Sequence, residues 1–353
     1  MNSRSLLGVF AAACLAPAML AAQTAQFDAA AYANAKAAAT RTFLNANLPA
    51  QRRLAALPNL GAPDATTRAA LLKIGVNKKE DGRIRLEALR RVQFGDPWLN
   101  AVLGILGDDA DGDEELDAQL IRELGKRTTS FPPPVMRQRI QDTLRGLMDD
   151  PRDKVRLHAF RALIGNHDQV AAGVLDERLR SGTNIPVPTA EAINLLFENG
   201  ATGHFAAIRP YLQSADVDVQ SMAALALGPD LESRQRIMAL ALSPNAAPKT
   251  REYALRGLAQ NDEKFPDYAI GLVEDRKTHP AVLEAAMTTI VGRMNYSPVT
   301  VEQQLRFARA VDALTTGPEP TDPAARKTRA NAIALKAYLR QAFPEIRRFY
   351  ENR

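Results

Sequence analysis

Residues 150–163 read DPRDKVRLHAFRAL, and their apolar positions follow a helical rule. Val155, Ala159, Ala162 and Leu163 fall at i, i+4, i+7 and i+8, one face of a helix. Asp150 fits an N-cap and Pro151 the first turn, where a missing N–H costs nothing. Alanine in the middle of the stripe allows a neighbouring helix to approach closely. With Ala159 as anchor, the same stripe returns at Ala192, Ala223, Ala254 and Ala286, with spacings of 33, 31, 31 and 32 residues. It extends backwards to Ala88 and Leu120, 32 apart, and the 39 residues from Leu120 to Ala159 contain the helix-breaking FPPP of 131–134.

Companion apolar segments lie between the anchors: PWLNAVLGIL, PVMRQRIQDTLRGL, AAGVLDERLR, HFAAIRPYL, SRQRIMALAL and FPDYAIGLV. Each pair predicts a helical hairpin that cannot bury its apolar face alone and is completed by stacking on its neighbours.

The D-P-x-x-x-V-R-x-x-A-x-x-A-L of 150–163 and the V-x-x-x-A-x-x-A-L-G of 219–228 resemble HEAT repeats, in particular the short form of phycobilisome-lyase HEAT-like proteins. The resemblance covers 66–290, with a weaker last pair over 300–339. It implies an all-α fold, a right-handed α-solenoid (α/α superhelix) of about seven to eight stacked hairpins with helical end caps. Thr250 departs from the usual Val and Leu120 from the small anchor, whereas the Trp-Leu-Gly-Tyr pattern of tetratricopeptide arrays does not occur. The expected organisation is a leader over 1–22, an N-terminal helical cap and connector over 23–62, the array over 63–292, and an atypical last repeat with a C-terminal cap over 293–353. In that cap, FPEIRRFYENR reads as a short amphipathic helix whose Phe343, Ile346 and Phe349 or Tyr350 close an apolar face.

Composition changes this picture little. Hydrophobic residues make up 46% of the 353-residue chain and aromatics 6%, enough for a packed core and suited to close helix packing. The net charge of +5, from 45 basic against 40 acidic residues, permits an anionic partner without requiring one.

The first residues change it more. Arg4 is the only charge before Asp28, and 6–20 is an apolar run too short to span a bilayer, followed by LAAQ. This predicts a secretory signal cut after Ala22, with Ala18 as the alternative, hence a periplasmic or secreted protein without a transmembrane span after cleavage. Cys14, the only cysteine, lies inside that run. AAAC lacks the Leu expected before a lipidated Cys, which argues against a lipid anchor there. The mature chain then has no disulfide, thiolate nucleophile or Cys-ligated zinc.

No catalytic constellation is legible. His158, His167, His204 and His279 stand in different repeats, without HExxH, GxSxG, a P-loop or GxGxxG. No catalytic residue or cofactor is therefore expected. The loop DDADGDEELD, 108–117, offers Asp109, Asp111 and Asp113 in a D-x-D-G-D order resembling an EF-hand calcium loop. Glu114 replaces its glycine and Leu120 its closing Glu, so the favoured reading is a solvated loop placing acids at the start of a helix.

Registering the repeats brings out arginines. Two residues beyond the anchors stand Arg90, Arg122, Arg161, Asn194, Leu225, Arg256 and Thr288. At about 100° per residue that position points roughly 160° from the buried stripe. Three residues before the anchors come Arg85, Arg156 and Arg251. In HEAT arrays the second helix of each pair lines the concave surface, so the resemblance implies an arginine-lined groove. Pairing of Arg156 with Asp150 or Asp153 is the structural alternative. The leading expectation is an exported, non-enzymatic scaffold holding a protein or peptide, of acidic character, on the concave face. A nucleic-acid-binding protein like the HEAT-type DNA glycosylases is opposed by the export signal and the near-balanced charge. An accessory enzyme or lyase-like subunit is suggested by the repeat family alone.

Overall fold

The computed structural model describes residues 29–108, 112–128, 132–259, 262–297 and 299–352. The segment expected as a leader, with its expected cleavage sites and Cys14, lies outside them. Among the described residues the chain forms nineteen α-helices and no strand, in two compact units, 1–101 and 102–353.

In the first unit, α1 (Ala29–Leu44) and α2 (Ala50–Ala55) form one hairpin, and α3 (Ala65–Gly75) and α4 (Gly82–Arg91) the next. α3 packs on α1 and α4 on α2, so within this unit the segment expected as a helical cap and connector pairs with the following hairpin. Two arginines lock these hairpins in the same way. Arg53, 2% exposed, donates from Nε to the Phe43 carbonyl at 2.8 Å, and Arg85, also 2% exposed, to the Gly75 carbonyl at 3.0 Å. Each reaches ten residues back to a carbonyl at the C-terminal end of the preceding helix, where orphan acceptors and the helix dipole both favour a cation. The unit boundary falls within α5 (Asp96–Leu106).

The second unit continues with α6 (Glu114–Thr128), α7 (Pro134–Gly146), α8 (Asp153–Gly165), α9 (Gln169–Ser181), α10 (Thr189–Glu198), α11 (Phe205–Ile208), α12 (Val217–Ala226), α13 (Arg234–Leu242) and α14 (Pro248–Leu258). It closes with α15 (Phe265–Glu274), α16 (Pro280–Tyr296), α17 (Val301–Thr315), α18 (Pro323–Ala342) and α19 (Pro344–Glu351). The even-numbered helices from α6 to α18 each pack on the next even one, while α9 meets α11, α15 meets α17 and α17 meets α19. This is the α-solenoid arrangement of two layers. The anchors form its seam: Ala159, Ala192, Ala223, Ala254 and Ala286 have no exposed surface, and Leu120 has 1%. Where Thr250 replaces the usual Val, its buried hydroxyl meets Ser221 Oγ at 3.1 Å, satisfying a polar atom that would otherwise be costly.

α8 begins at Asp153, two residues later than expected, and Arg152 rather than Asp150 holds the N-cap position. Asp150 is drawn away by Arg152, which pairs with it at 2.8 Å and with buried Asp117 at 2.7 Å. In α19, Ile346 is fully buried and Tyr350 Oη donates to the Ala308 carbonyl at 3.0 Å, so this helix closes on α17 and α18.

Candidate functional site

The even-numbered helices of the second unit present Arg122 on α6, Arg161 on α8 and Arg256 on α14, all exposed, as the register expects. Asn194 on α10 and Leu225 on α12 interrupt the row between Arg161 and Arg256. Arg90, in the first unit, is half-buried and pairs with Glu87 at 2.7 Å.

None of the three stands as a bare charge. Arg161 Nε donates to Glu191 on α10 at 2.7 Å, across the seam between two hairpins. Arg256 pairs with Glu252 one turn earlier at 2.5 Å and lies over the Tyr253 ring at 5.7 Å. Arg122 Nη2 lies 2.9 Å from His158 Nε2. Lys154–Glu115 and Lys249–Asp218 add two more exposed pairs between successive even-numbered helices, at 3.1 and 2.7 Å. The surface is a lattice of paired charges, not a uniformly basic wall. Exposed pairs of this kind are worth about 0–1 kcal/mol each.

His158 is the perturbed group in this lattice. It is 6% exposed, and desolvation, reinforced by Arg122 and then Arg161, pushes its pKa from 6.5 to about 4. The imidazole is therefore neutral at pH 7, which lets it accept from Arg122.

The positions three residues before the anchors do not join the row. Arg251 is 7% exposed and donates from Nε to the Ala241 carbonyl at 3.1 Å, repeating the arrangement of Arg53 and Arg85. Burial lowers its pKa from the usual arginine value. Gln220 in the same position of α12 reaches the Leu212 carbonyl at 3.0 Å. Arg156 donates to the carbonyls of Pro186 and Asp150 and pairs with Asp153. Arg85, Arg156 and Arg251, expected beside the row, thus direct their guanidiniums to backbone carbonyls. Their position lies only about 60° from the buried stripe, and a long guanidinium side chain from there bends inward to a helix end.

Asp113 accepts from the backbone N–H of Leu116 at 3.0 Å and opens α6, with Glu114, Glu115 and Asp117 in its first turn. Leu120, where a calcium loop needs its last carboxylate, is a core residue. Asp109 and Asp111 lie outside the described residues, among which no cluster of three or more His, Cys, Asp or Glu could hold a metal. The remaining histidines are dispersed. His167 sits in a turn at φ 59°, His204 meets Asp176 at 2.9 Å, and His279 Nδ1 caps α16 by accepting from Ala281 N–H at 3.2 Å. No described helix is long and apolar enough to cross a membrane.

No family model matches the chain, and no curated protein does. Among solved structures it is similar to human deoxyhypusine hydroxylase in complex with glycerol, at 14% identity and a TM-score of 0.31, over 75% of this chain and 98% of that one. It is also similar to an engineered protein at 19% identity and a TM-score of 0.37, over 89% of this chain and 92% of that one.

Proposed function

We propose that the chain is an exported, non-enzymatic helical-repeat scaffold. Its even-numbered helices hold a protein or peptide partner that carries acidic side chains. One observation carries this reading: Arg122, Arg161 and Arg256 stand exposed on the even-numbered layer, paired only with surface acids or a neutral His158. A partner carboxylate can take over these guanidiniums through forked hydrogen bonds. The intrahelical and interhelical acids weigh against nucleic acid, whose phosphates need an excess of cations. Export rests on Arg4, the apolar run and the small residues before Gln23.

The test is a double charge reversal, Arg161→Glu with Arg256→Glu. Both side chains lie off the core stripe, so the helical circular-dichroism signal should remain. Capture of the partner from the native cell envelope should fall, and wild-type capture should weaken as salt screens exposed charges. Equal recovery by both proteins at low salt would remove the binding face assigned here. N-terminal sequencing should find a mature start near Gln23, and intact Met1 in the cytosol would contradict export.

A further inference from the structure

The odd-numbered layer of the second unit carries an open pocket of about 220 Å³, lined by the end of α15, by Arg276 just after it and by α17. Val273 and Ala310, 1% and 7% exposed, supply buried apolar lining, with Ala313 and Leu314 beside them. Three charged side chains join them: Glu274, Arg276 and Arg309. Glu274 is already engaged, because its two oxygens accept from Nε and Nη2 of Arg306 at 2.8 and 2.5 Å. Arg276 is exposed and has no side-chain hydrogen bond or ion pair among the described residues. Arg309 has no carboxylate partner among them either; its guanidinium lies over the Phe349 ring of α19 at 5.7 Å. That stacking restrains Arg309 while leaving its donors open. The cavity thus differs from the even-numbered face, where each exposed arginine of the row already has a partner.

We propose that this cavity binds a carboxylate carried on a short aliphatic body. The carboxylate sits between Arg276 and Arg309, and the aliphatic part lies against Val273, Ala310 and Leu314. A guanidinium offers a rigid fork matched to a carboxylate, and two of them beside apolar walls select an anion with a hydrocarbon attached. The volume sets the size. It falls below the roughly 300–1,000 Å³ of pockets for drug-sized ligands, so the part of a ligand held inside is about the size of one amino-acid residue. Such a group comes from two sources, the C-terminal residue of a peptide or a free short-chain acid. The inference does not depend on the binding role assigned to the even-numbered helices.

Titration calorimetry of the full chain at low salt tests it, with N-acetyl-leucine, N-acetyl-leucinamide, 4-methylpentanoate, inorganic phosphate, and an octapeptide ending in leucine in acid and amide forms. N-acetyl-leucine should bind, and its amide at least tenfold more weakly. Arg276→Gln should lower affinity at least tenfold with an unchanged melting temperature, since the folded chain does not use that side chain. Ala313→Phe should abolish binding by filling the cavity while keeping both arginines. Tight binding of the acid peptide with none of 4-methylpentanoate identifies a peptide C-terminus; equal binding of both identifies the free acid as sufficient. Equal affinity for acid and amide, wild-type affinity in Arg276→Gln, phosphate binding as tight as N-acetyl-leucine, or no binding of any probe would each overturn the proposal.

Discussion

Replacing Gly228 by Ala tests the packing of α12 on α14 at its tightest point. A Cβ at Gly228 would lie 2.2 Å from the Gly257 carbonyl oxygen, 2.5 Å from its carbonyl carbon and 2.6 Å from its Cα. All three are backbone atoms, so no rotamer change relieves the clash and the helices must separate. The reverse substitution meets the same limit, with a Cβ at Gly257 only 2.7 Å from the Ala224 carbonyl oxygen. Overpacking costs about 1–3 kcal/mol, and three backbone contacts place Gly228→Ala at the upper end, about 3 kcal/mol. Reduced freedom of the unfolded chain returns roughly 0.4–1 kcal/mol, leaving a net loss of about 2 kcal/mol. At roughly 2–4 °C per kcal/mol in a domain of this size, the melting temperature should fall by about 4–8 °C. Gly271→Ala is the control: it lies within α15 with nothing inside 4 Å of its Cβ, and should gain roughly 0.5–1 kcal/mol. Thermal melts followed by circular dichroism read both. A Gly228→Ala melt superimposable on wild type would refute the backbone-to-backbone contact between these helices.

Ala223→Leu introduces three further carbons at a fully buried anchor and should cost about 1–3 kcal/mol in the same assay. Arg251→Ala should destabilise by about 1–3 kcal/mol, because the Ala241 carbonyl loses its buried donor, while Arg256→Ala on the exposed face should change stability by less than about 0.5 kcal/mol. His158 has a folded pKa of about 4 against 6.5 unfolded, so the unfolded chain binds the proton more readily. Its contribution is fully present above about pH 6.5 and is lost as pH falls towards 4, a change of up to about 3 kcal/mol. Denaturant titrations at pH 7 and pH 4.5 should therefore show a smaller pH difference in His158→Gln than in wild type.

The seam of the stack was legible because alanine at a fixed interval of 31–33 residues has few physical explanations besides close helix contact, and those positions are buried. The first hairpin was harder to read. α1 is Ala-rich, so its apolar stripe barely contrasts with the rest of its surface, and α2 has only six residues. The usable signal was Arg53, 32 residues before Arg85, repeating a position rather than a hydrophobic pattern. For the arginine row, periodicity gives the direction in which a side chain leaves the helix but not where a long, flexible one ends. Arg161 and Arg256 point outward as expected, whereas Arg85 and Arg251 start near the buried stripe and terminate on backbone carbonyls. The acids that neutralise the row, Glu191 and Glu252, sit on a neighbouring helix and one turn away respectively. Only the first of these needs the three-dimensional stack to be seen.

Position-specific photocrosslinking in the native cell tests the proposed binding role most directly. A photoreactive residue at Asn194, between Arg161 and Arg256 on the even-numbered layer, is compared with one at exposed Val170 on α9 of the other layer. The account predicts a discrete adduct from Asn194, absent from Val170 and lost when Arg161 and Arg256 are both changed to Glu. An adduct from Val170 alone, or one from Asn194 that survives the double charge reversal undiminished, would contradict it.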